Sequence, residues 1–182
     1  SEIDLTVDDP GCPPIDFIFL VDLSGSYDDD LPNFQAAAPA IASLVRSMDP
    51  NAKFAVSSFI DLPISPYGAP GDYPYRPELA LTDDAAAFQA AIAGLSTRDG
   101  GDYPESQWFG LDRAARGIGL NLRDNSRKII LIATDATSHD AADYGVDEAG
   151  LLQFLDDNDI ETIGGSTGRE VADPTDVGPG AV

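Results

Sequence analysis

Residues 15–23, IDFIFLVDL, form an almost unbroken apolar run rich in β-branched and aromatic side chains. A strand with one wet face would alternate apolar and polar residues. This run has no such face, so it suits a strand buried on both sides. A second run of the same kind, RKIILIAT at 127–134, imposes the same condition. Two such strands call for a sheet with helices packed on both faces.

The intervening sequence supplies the helices. Phe34, Ala37 or Ala38, Ile41, Leu44 or Val45, and Met48 recur at helical spacing. Asp30 ahead of Leu31-Pro32 is a reasonable helix start, and Pro39 inside the same stretch predicts a kink or break. Residues 53–60, KFAVSSFI, read as a second strand, with a short strand expected around Leu62–Tyr67. Residues 66–78, crowded with Pro, Gly and Tyr, read as an irregular loop. A helix is expected over 83–94, closed by Gly94, then a polar loop over 96–104 and a helix over 105–118. Trp108, Phe109 and Leu111 belong to that helix's core side. Residues 147–158 predict an amphipathic helix with Leu151, Leu152 and Leu155 inward, and IETIGG a last short strand. Strands alternating with helices imply an α/β fold with a mostly parallel, Rossmann-like sheet flanked by helices on both faces. At 182 residues, 43% of them hydrophobic, the chain is sized for one domain. We place a linker at 1–13, the domain at 14–164 and a Gly/Pro/Asp-rich tail at 165–182.

In folds of this class, ligands bind beyond the carboxyl ends of the strands. There the two buried strands end in Asp22-Leu-Ser-Gly-Ser and in Thr134-Asp135. The D-x-S-x-S spacing lets one turn present the Asp22 carboxylate and the Ser24 and Ser26 hydroxyls to one point. Oxygen ligands are what hard cations such as Mg²⁺ and Ca²⁺ require. Glu105, in Gly101-Asp-Tyr-Pro-Glu-Ser106, is the candidate fourth oxygen from another loop. Asp135 can hold a coordinated water from outside the direct ligand set. The overall charge agrees: 10 basic residues stand against 32 acidic ones, for a net of −22. Such a surface repels nucleic acid and anionic lipid and suits divalent cations. No apolar run approaches the roughly 20 residues needed to span a bilayer, so direct membrane insertion is not expected. The single cysteine, Cys12, cannot form an internal disulfide and leaves the redox compartment open.

These motifs resemble the metal-ion-dependent adhesion site of von Willebrand factor A domains, and more closely the I-like domain of integrin β subunits. Four stretches carry the resemblance in the right order: Asp22-Leu-Ser-Gly-Ser-Tyr-Asp-Asp-Asp-Leu31, Phe59-Ile-Asp-Leu-Pro-Ile-Ser-Pro-Tyr67, Asp102-Tyr-Pro-Glu105, and Thr134-Asp135-Ala136 followed by His139. The lack of disulfides and the acidity suggest a prokaryotic version. The resemblance implies three cation sites. A central site would use Asp22, Ser24, Ser26 and Glu105 with Asp135 outside them, and would take Mg²⁺ or Mn²⁺. An adjacent site would use the Ser26 carbonyl with Asp29 and Asp30. A third would use Asp61, Asp102, the Pro104 carbonyl and the second Glu105 oxygen. Ca²⁺ would fill one or both of these flanking sites.

The resemblance further implies cation-dependent adhesion rather than catalysis. The partner would be a protein or peptide with an exposed Asp or Glu. The setting would be extracellular or at a cell surface, within a larger protein. Tyr67, Tyr73 and Tyr75 are candidates for the ligand rim. Where the family places an Asn that serves the third site, this chain has Gly100, with Asp99 as the available substitute. The family's later strand and final helix have no counterpart after Gly164.

Simpler readings exist for each motif. Asp22, Ser24 and Ser26 could form a solvated turn, and Asp29 and Asp30 could serve only the helix dipole. Asp61 and Asp102 could be ordinary surface carboxylates. A Ser–His–Asp hydrolase would need a nucleophile elbow that the serines lack. An intracellular A-domain scaffold and a Ca²⁺-stabilised structural module are the other functional classes.

Overall fold

The structure is a computed structural model that describes residues 12–98 and 100–165. Most of the expected linker, the tail beyond Gly165 and Asp99 lie outside the described residues. The elements run β1 (Ile15–Asp22), α1 (Leu31–Met48), β2 (Lys53–Phe59), β3 (Arg76–Thr82), α2 (Ala85–Ala93), α3 (Gln107–Ala115), β4 (Arg127–Ala133), α4 (Glu148–Asp157) and β5 (Ile160–Gly165). Short 3₁₀ turns at Gly25–Asp28 and Ala141–Tyr144 follow β1 and β4.

The five strands form one sheet in the order β3-β2-β1-β4-β5. β1 pairs in parallel with β2 on one side and β4 on the other, and β4 pairs in parallel with β5. Every residue of β1 is buried, as its unbroken apolar pattern requires. Its side chains divide between two cores by the period of two along a strand. Phe17, Phe19 and Val21 join Phe34, Ala38, Val45, Phe88 and Ile92 of α1 and α2. Ile18 and Leu20 join Leu111, Ala114, Leu151 and Leu155 of α3 and α4. The chain leaves β1 towards β2 and leaves β4 towards β5, so the sheet order reverses between β1 and β4. The carboxyl ends at that reversal are where such sheets open a crevice.

Several expectations need correction. The stretch around Leu62–Tyr67 is not a strand. Pro63 and Pro66 cannot donate to a ladder, and the chain turns on itself through Ile64 N–H to the Leu62 carbonyl and Gly68 N–H to the Ile64 carbonyl. The strand that pairs with β2 lies later, at Arg76–Thr82, and is antiparallel. It overlaps the end of the segment read as a loop. Its Pro77 is tolerated because β3 is the edge strand.

The helix expected from 105 begins at Gln107. Glu105 is extended instead, with its N–H on the Thr137 carbonyl and its carbonyl accepting from His139 N–H. α1 runs unbroken from Leu31 to Met48 with Pro39 inside it, so the expected break does not occur. Met48 and Leu44 are largely exposed, and Ala42 and Val45 take the inward positions. Asp84 caps α2 by accepting from Ala86 and Ala87 N–H at 2.8 and 3.1 Å. Leu151 and Leu155 of α4 are buried and Leu152 packs partly against them.

Candidate metal centre

Asp22 is the last residue of β1, level with Phe59 of β2. One residue before it, Val21 lies level with Ala133 at the end of β4. Strand register therefore brings the Asp22 turn, the Asp61 loop and the Thr134-Asp135 loop to one edge of the sheet. Asp22 is fully buried. One carboxylate oxygen accepts Ser24 N–H at 2.8 Å and the other accepts the Thr134 hydroxyl at 2.6 Å. The Ser24 and Ser26 hydroxyls lie 3.2 Å apart, and Ser26 Oγ donates to Asp135 Oδ1 at 3.0 Å. The sequence-predicted Asp22, Ser24, Ser26 and Asp135 thus form one connected set.

Glu105 reaches the same place from the loop before α3. Its backbone is stapled to the Thr137–His139 segment. Ser106 anchors the loop on the other side, its hydroxyl donating to the Ile60 and Pro74 carbonyls at 2.8 and 3.0 Å. Glu105 is buried, and its Oε2 has no hydrogen-bond partner. Burial, reinforced by the negative charges of Asp22 and Asp61, pushes the Glu105 carboxyl up to about 10, with the Ser24 hydroxyl opposing the shift. Burial likewise raises Asp22 to about 6, although the Thr134 and Ser24 bonds pull the other way. In both groups the leading cause is the loss of solvation on burial, which disfavours the charged form.

Beside this centre, Asp61 is also fully buried. Its Oδ1 accepts Leu62 N–H at 2.6 Å and the Tyr144 hydroxyl. Its Oδ2 lies 3.3 Å from His139 Nε2 without a hydrogen bond of proper geometry. His139 Nε2 is 3.2 Å from Asp102 Oδ1. Burial raises the Asp61 carboxyl above its usual range. Among the described residues, no lysine or arginine forms an ion pair with Asp22, Asp61, Asp102 or Glu105.

A hard dication fits this donor set. Carboxylates and hydroxyls converge at the centre, and two buried carboxylate oxygens, Glu105 Oε2 and Asp61 Oδ2, lack hydrogen-bond partners. Orphaned buried oxygens of this kind are rare unless an ion completes them.

Asp29 and Asp30 stand on the turn between the Ser26 hydroxyl and α1. Asp30 is the residue before the helix, yet its side chain makes no capping bond. Gly100 sits at φ +67°, and a Cβ there would lie 3.6 Å from Glu105 Oε1 and 3.8 Å from Ser24 Cβ. Position 100 therefore faces the centre.

The three rim tyrosines separate. Tyr67 packs edge-on against His139, with ring centroids 5.0 Å apart. Tyr73 instead shares a hydrogen bond with Ser58 at 3.0 Å, under the Arg76 guanidinium. Tyr75 donates to the Ile118 carbonyl at 2.8 Å. Both are spent on the sheet and its connections.

Residues the sequence reading left without a role also appear. Tyr103 is exposed and donates to the Asp135 carbonyl at 3.0 Å; its place inside the Asp-Tyr-Pro-Glu motif was the available signal. Gln107 donates to the Thr134 hydroxyl and the Ala136 carbonyl, which holds the β4 loop in place. Tyr144, over 80 residues from Asp61 in sequence, gave no local signal at all.

Residues 11–160 match the family described as the integrin beta chain VWA domain. The chain is 27% identical over 148 residues to integrin beta pat-3 of Caenorhabditis elegans, covering 71% of this chain and 18% of that protein. It is 27% identical over 161 residues to integrin beta-6 of Rattus norvegicus, covering 76% and 20%. It therefore spans about a fifth of the length of the curated relatives it matches. Among solved structures, proximal thread matrix protein 1 from the mussel byssus superposes with a TM-score of 0.59 at 16% identity, over 85% of this chain and 36% of that one. That likeness is one of fold.

Proposed function

Because the chain belongs to the integrin beta chain VWA domain family, we propose that it is a ligand-binding adhesion module working through a divalent cation. Asp22, Ser24, Ser26 and Glu105 hold Mg²⁺ or Mn²⁺, and Asp135 orients Ser26 and a coordinated water. Asp29 and Asp30 with the Ser26 carbonyl hold Ca²⁺ beside it. Asp61, Asp102 and the Pro104 carbonyl, with Glu105, form the third position. The central cation supplies an open coordination position for a carboxylate from outside. The partner is a protein or peptide with an exposed Asp or Glu, met at a cell surface or in an extracellular matrix as part of a longer protein.

The observation that carries this reading is the Glu105 carboxyl. It is buried beside Asp22 and the serine hydroxyls, and one oxygen has no protein partner. The chain's own residues do three things. Thr134 and Ser24 N–H fix the Asp22 carboxylate. Asp135 fixes Ser26. The Thr137–His139 segment fixes the height of Glu105. With few charged ligands at the centre, the cation keeps enough positive charge to attract an incoming carboxylate.

Calorimetry with an Asp-bearing peptide tests the proposal. Heat of binding is expected in Mg²⁺, and none in EDTA or with an Asp22→Ala variant of unchanged circular dichroism. Peptide capture that persists in EDTA contradicts it.

A further inference from the structure

We propose that the cavity between α1 and α2 is a binding site for a small aromatic monocarboxylate. The site needs no metal, goes beyond the central-site reading and can fail independently of it. The cavity holds about 250 Å³. It exists because the two helices turn short side chains towards each other there: Ala42 and Ser43 from α1, Ala85 from α2, with the Pro39 ring above them. Phe54 and Phe88, both buried, form its floor. Phe54 stands at the start of β2 and Arg46 in the last turn of α1. The cavity therefore lies towards the amino ends of the parallel strands, away from the candidate metal centre.

Charge selects what enters. In a chain of net −22, α1 and α2 carry a single charged side chain between them, Arg46. No carboxylate lines the cavity, whereas the open clefts at Asp124, at Asp112 with Asp147, and at Asp83 each present at least one. The acids just ahead of α2 are engaged elsewhere. Asp83 pairs with Lys53 at 3.3 Å, and Asp84 accepts two N–H groups of the helix's first turn. An anion is thus repelled at those clefts and admitted here.

Arg46 supplies the recognition. Its guanidinium lies over the Phe54 ring, 5.1 Å from the centroid, and donates to the Asp83 carbonyl. Among the described residues it forms no ion pair. Stacking and one hydrogen bond hold the planar fork in place and leave donors for a carboxylate. The exposed Ser43 hydroxyl and Gln89 amide stand on the same rim, with no hydrogen-bond partner among the described residues. At roughly 30 Å³ per water-sized group, the space takes about eight such groups, which is a phenyl ring, a carboxylate and little more. An apolar hollow with a few convergent polar groups is the general form of a small-molecule site.

The test uses the 182-residue chain in EDTA, so that no carboxylate is held through a metal at Asp22. Phenylacetate is titrated and followed by amide NMR. We expect saturable shifts at Ala42, Ser43, Ala85 and Gln89. Phenylacetamide, which lacks the charge, should bind at least about tenfold more weakly, and Arg46→Gln should lose phenylacetate affinity by a similar factor. If Arg46→Gln fails to fold, Ser43→Leu, at an exposed rim position, fills the mouth and reads the same loss. Shifts confined to Ser24, Ser26 and Glu105, equal binding of the amide, or unchanged affinity in a folded variant overturns the proposal. So does a titration that gives no saturable shift. Peptide capture in Mg²⁺ is followed in parallel, and Arg46→Gln should retain it. Phenylacetate binding in EDTA by a chain that captures no peptide in Mg²⁺ would sink the central-site reading and leave this one standing.

Discussion

β1 carries a buried aspartate near each end, Asp16 and Asp22, and their spacing puts both on the face that packs α3 and α4. Neither has measurable exposure. Asp16 is closed by the protein itself: Arg123 donates from its backbone N–H and Nε at 2.8 and 2.7 Å, and the Ser126 hydroxyl donates at 2.9 Å. The Arg123 guanidinium completes the ion pair. Asp22 receives a backbone N–H and a threonine hydroxyl, with no arginine or lysine. A buried charge must be paired or neutralised. One end of the strand meets that condition with its own arginine; the other has no cationic side chain, and in the proposed function a cation takes that place. The same residue type in the same strand meets different surroundings at its two ends because of what the following loops supply.

The largest effect should come from cutting the closed end. Asp16→Ala leaves Arg123 and Ser126 without their acceptor and should cost about 3 kcal/mol of stability, equally with and without Mg²⁺ in urea denaturation. Asp22→Asn should cost the metal-free protein nothing. A loss there comparable with that of Asp16→Ala would erase the distinction. Next in size is cation linkage. Wild type should gain about 2.7 kcal/mol when Mg²⁺ stands a hundredfold above its Kd, and Asp22→Asn should gain none, as read by thermal melts.

The third effect is pH dependence, and its sign is unusual for carboxyl groups. Asp22 and Glu105 bind protons more tightly folded than unfolded. Their contribution is thus present at low pH and is lost as pH rises. For Asp22 the loss falls between the ordinary carboxylate range and about 6, at up to about 1.4 kcal/mol per unit. Without divalent cations, this part of the protein should be more stable near pH 5 than near pH 8, and saturating Mg²⁺ should flatten the slope. A metal-free profile that rises through that window would refute the assignment. The smallest effect is expected at Gly100→Asn. Asparagine enters the positive-φ region more readily than most residues and offers an oxygen near Glu105, so Ca²⁺ affinity at the flank should rise several-fold by calorimetry, at a small cost in stability.

Much of this was legible in the sequence. The doubly buried strands declared themselves through unbroken apolar runs, and their polar ends located the centre. Three of the four motifs lie at or just beyond a strand end, and the fourth, Asp102–Glu105, stands in the loop between α2 and α3. The edge strand Arg76–Thr82 was hidden because an edge position lets it carry Arg, Pro and Glu, which erase the strand pattern. The course of α1 through Pro39 was hidden because packing against the sheet overrides a local breaker. The bond from Tyr144 to Asp61 and the approach of His139 to Asp61 and Asp102 depend on loops that meet only after folding. No local periodicity encodes that meeting.

The account rests on a cation completing what β1 leaves open at Asp22. Crystals grown in Mn²⁺ and measured at an anomalous wavelength test this directly. The account predicts a peak within coordination distance of Ser24 Oγ, Ser26 Oγ and a Glu105 oxygen, with Asp22 beside it and at least one ligand position held by water or a carboxylate from a neighbour. No peak between the serine turn and Glu105, or an ion there fully enclosed by protein oxygens, would contradict it.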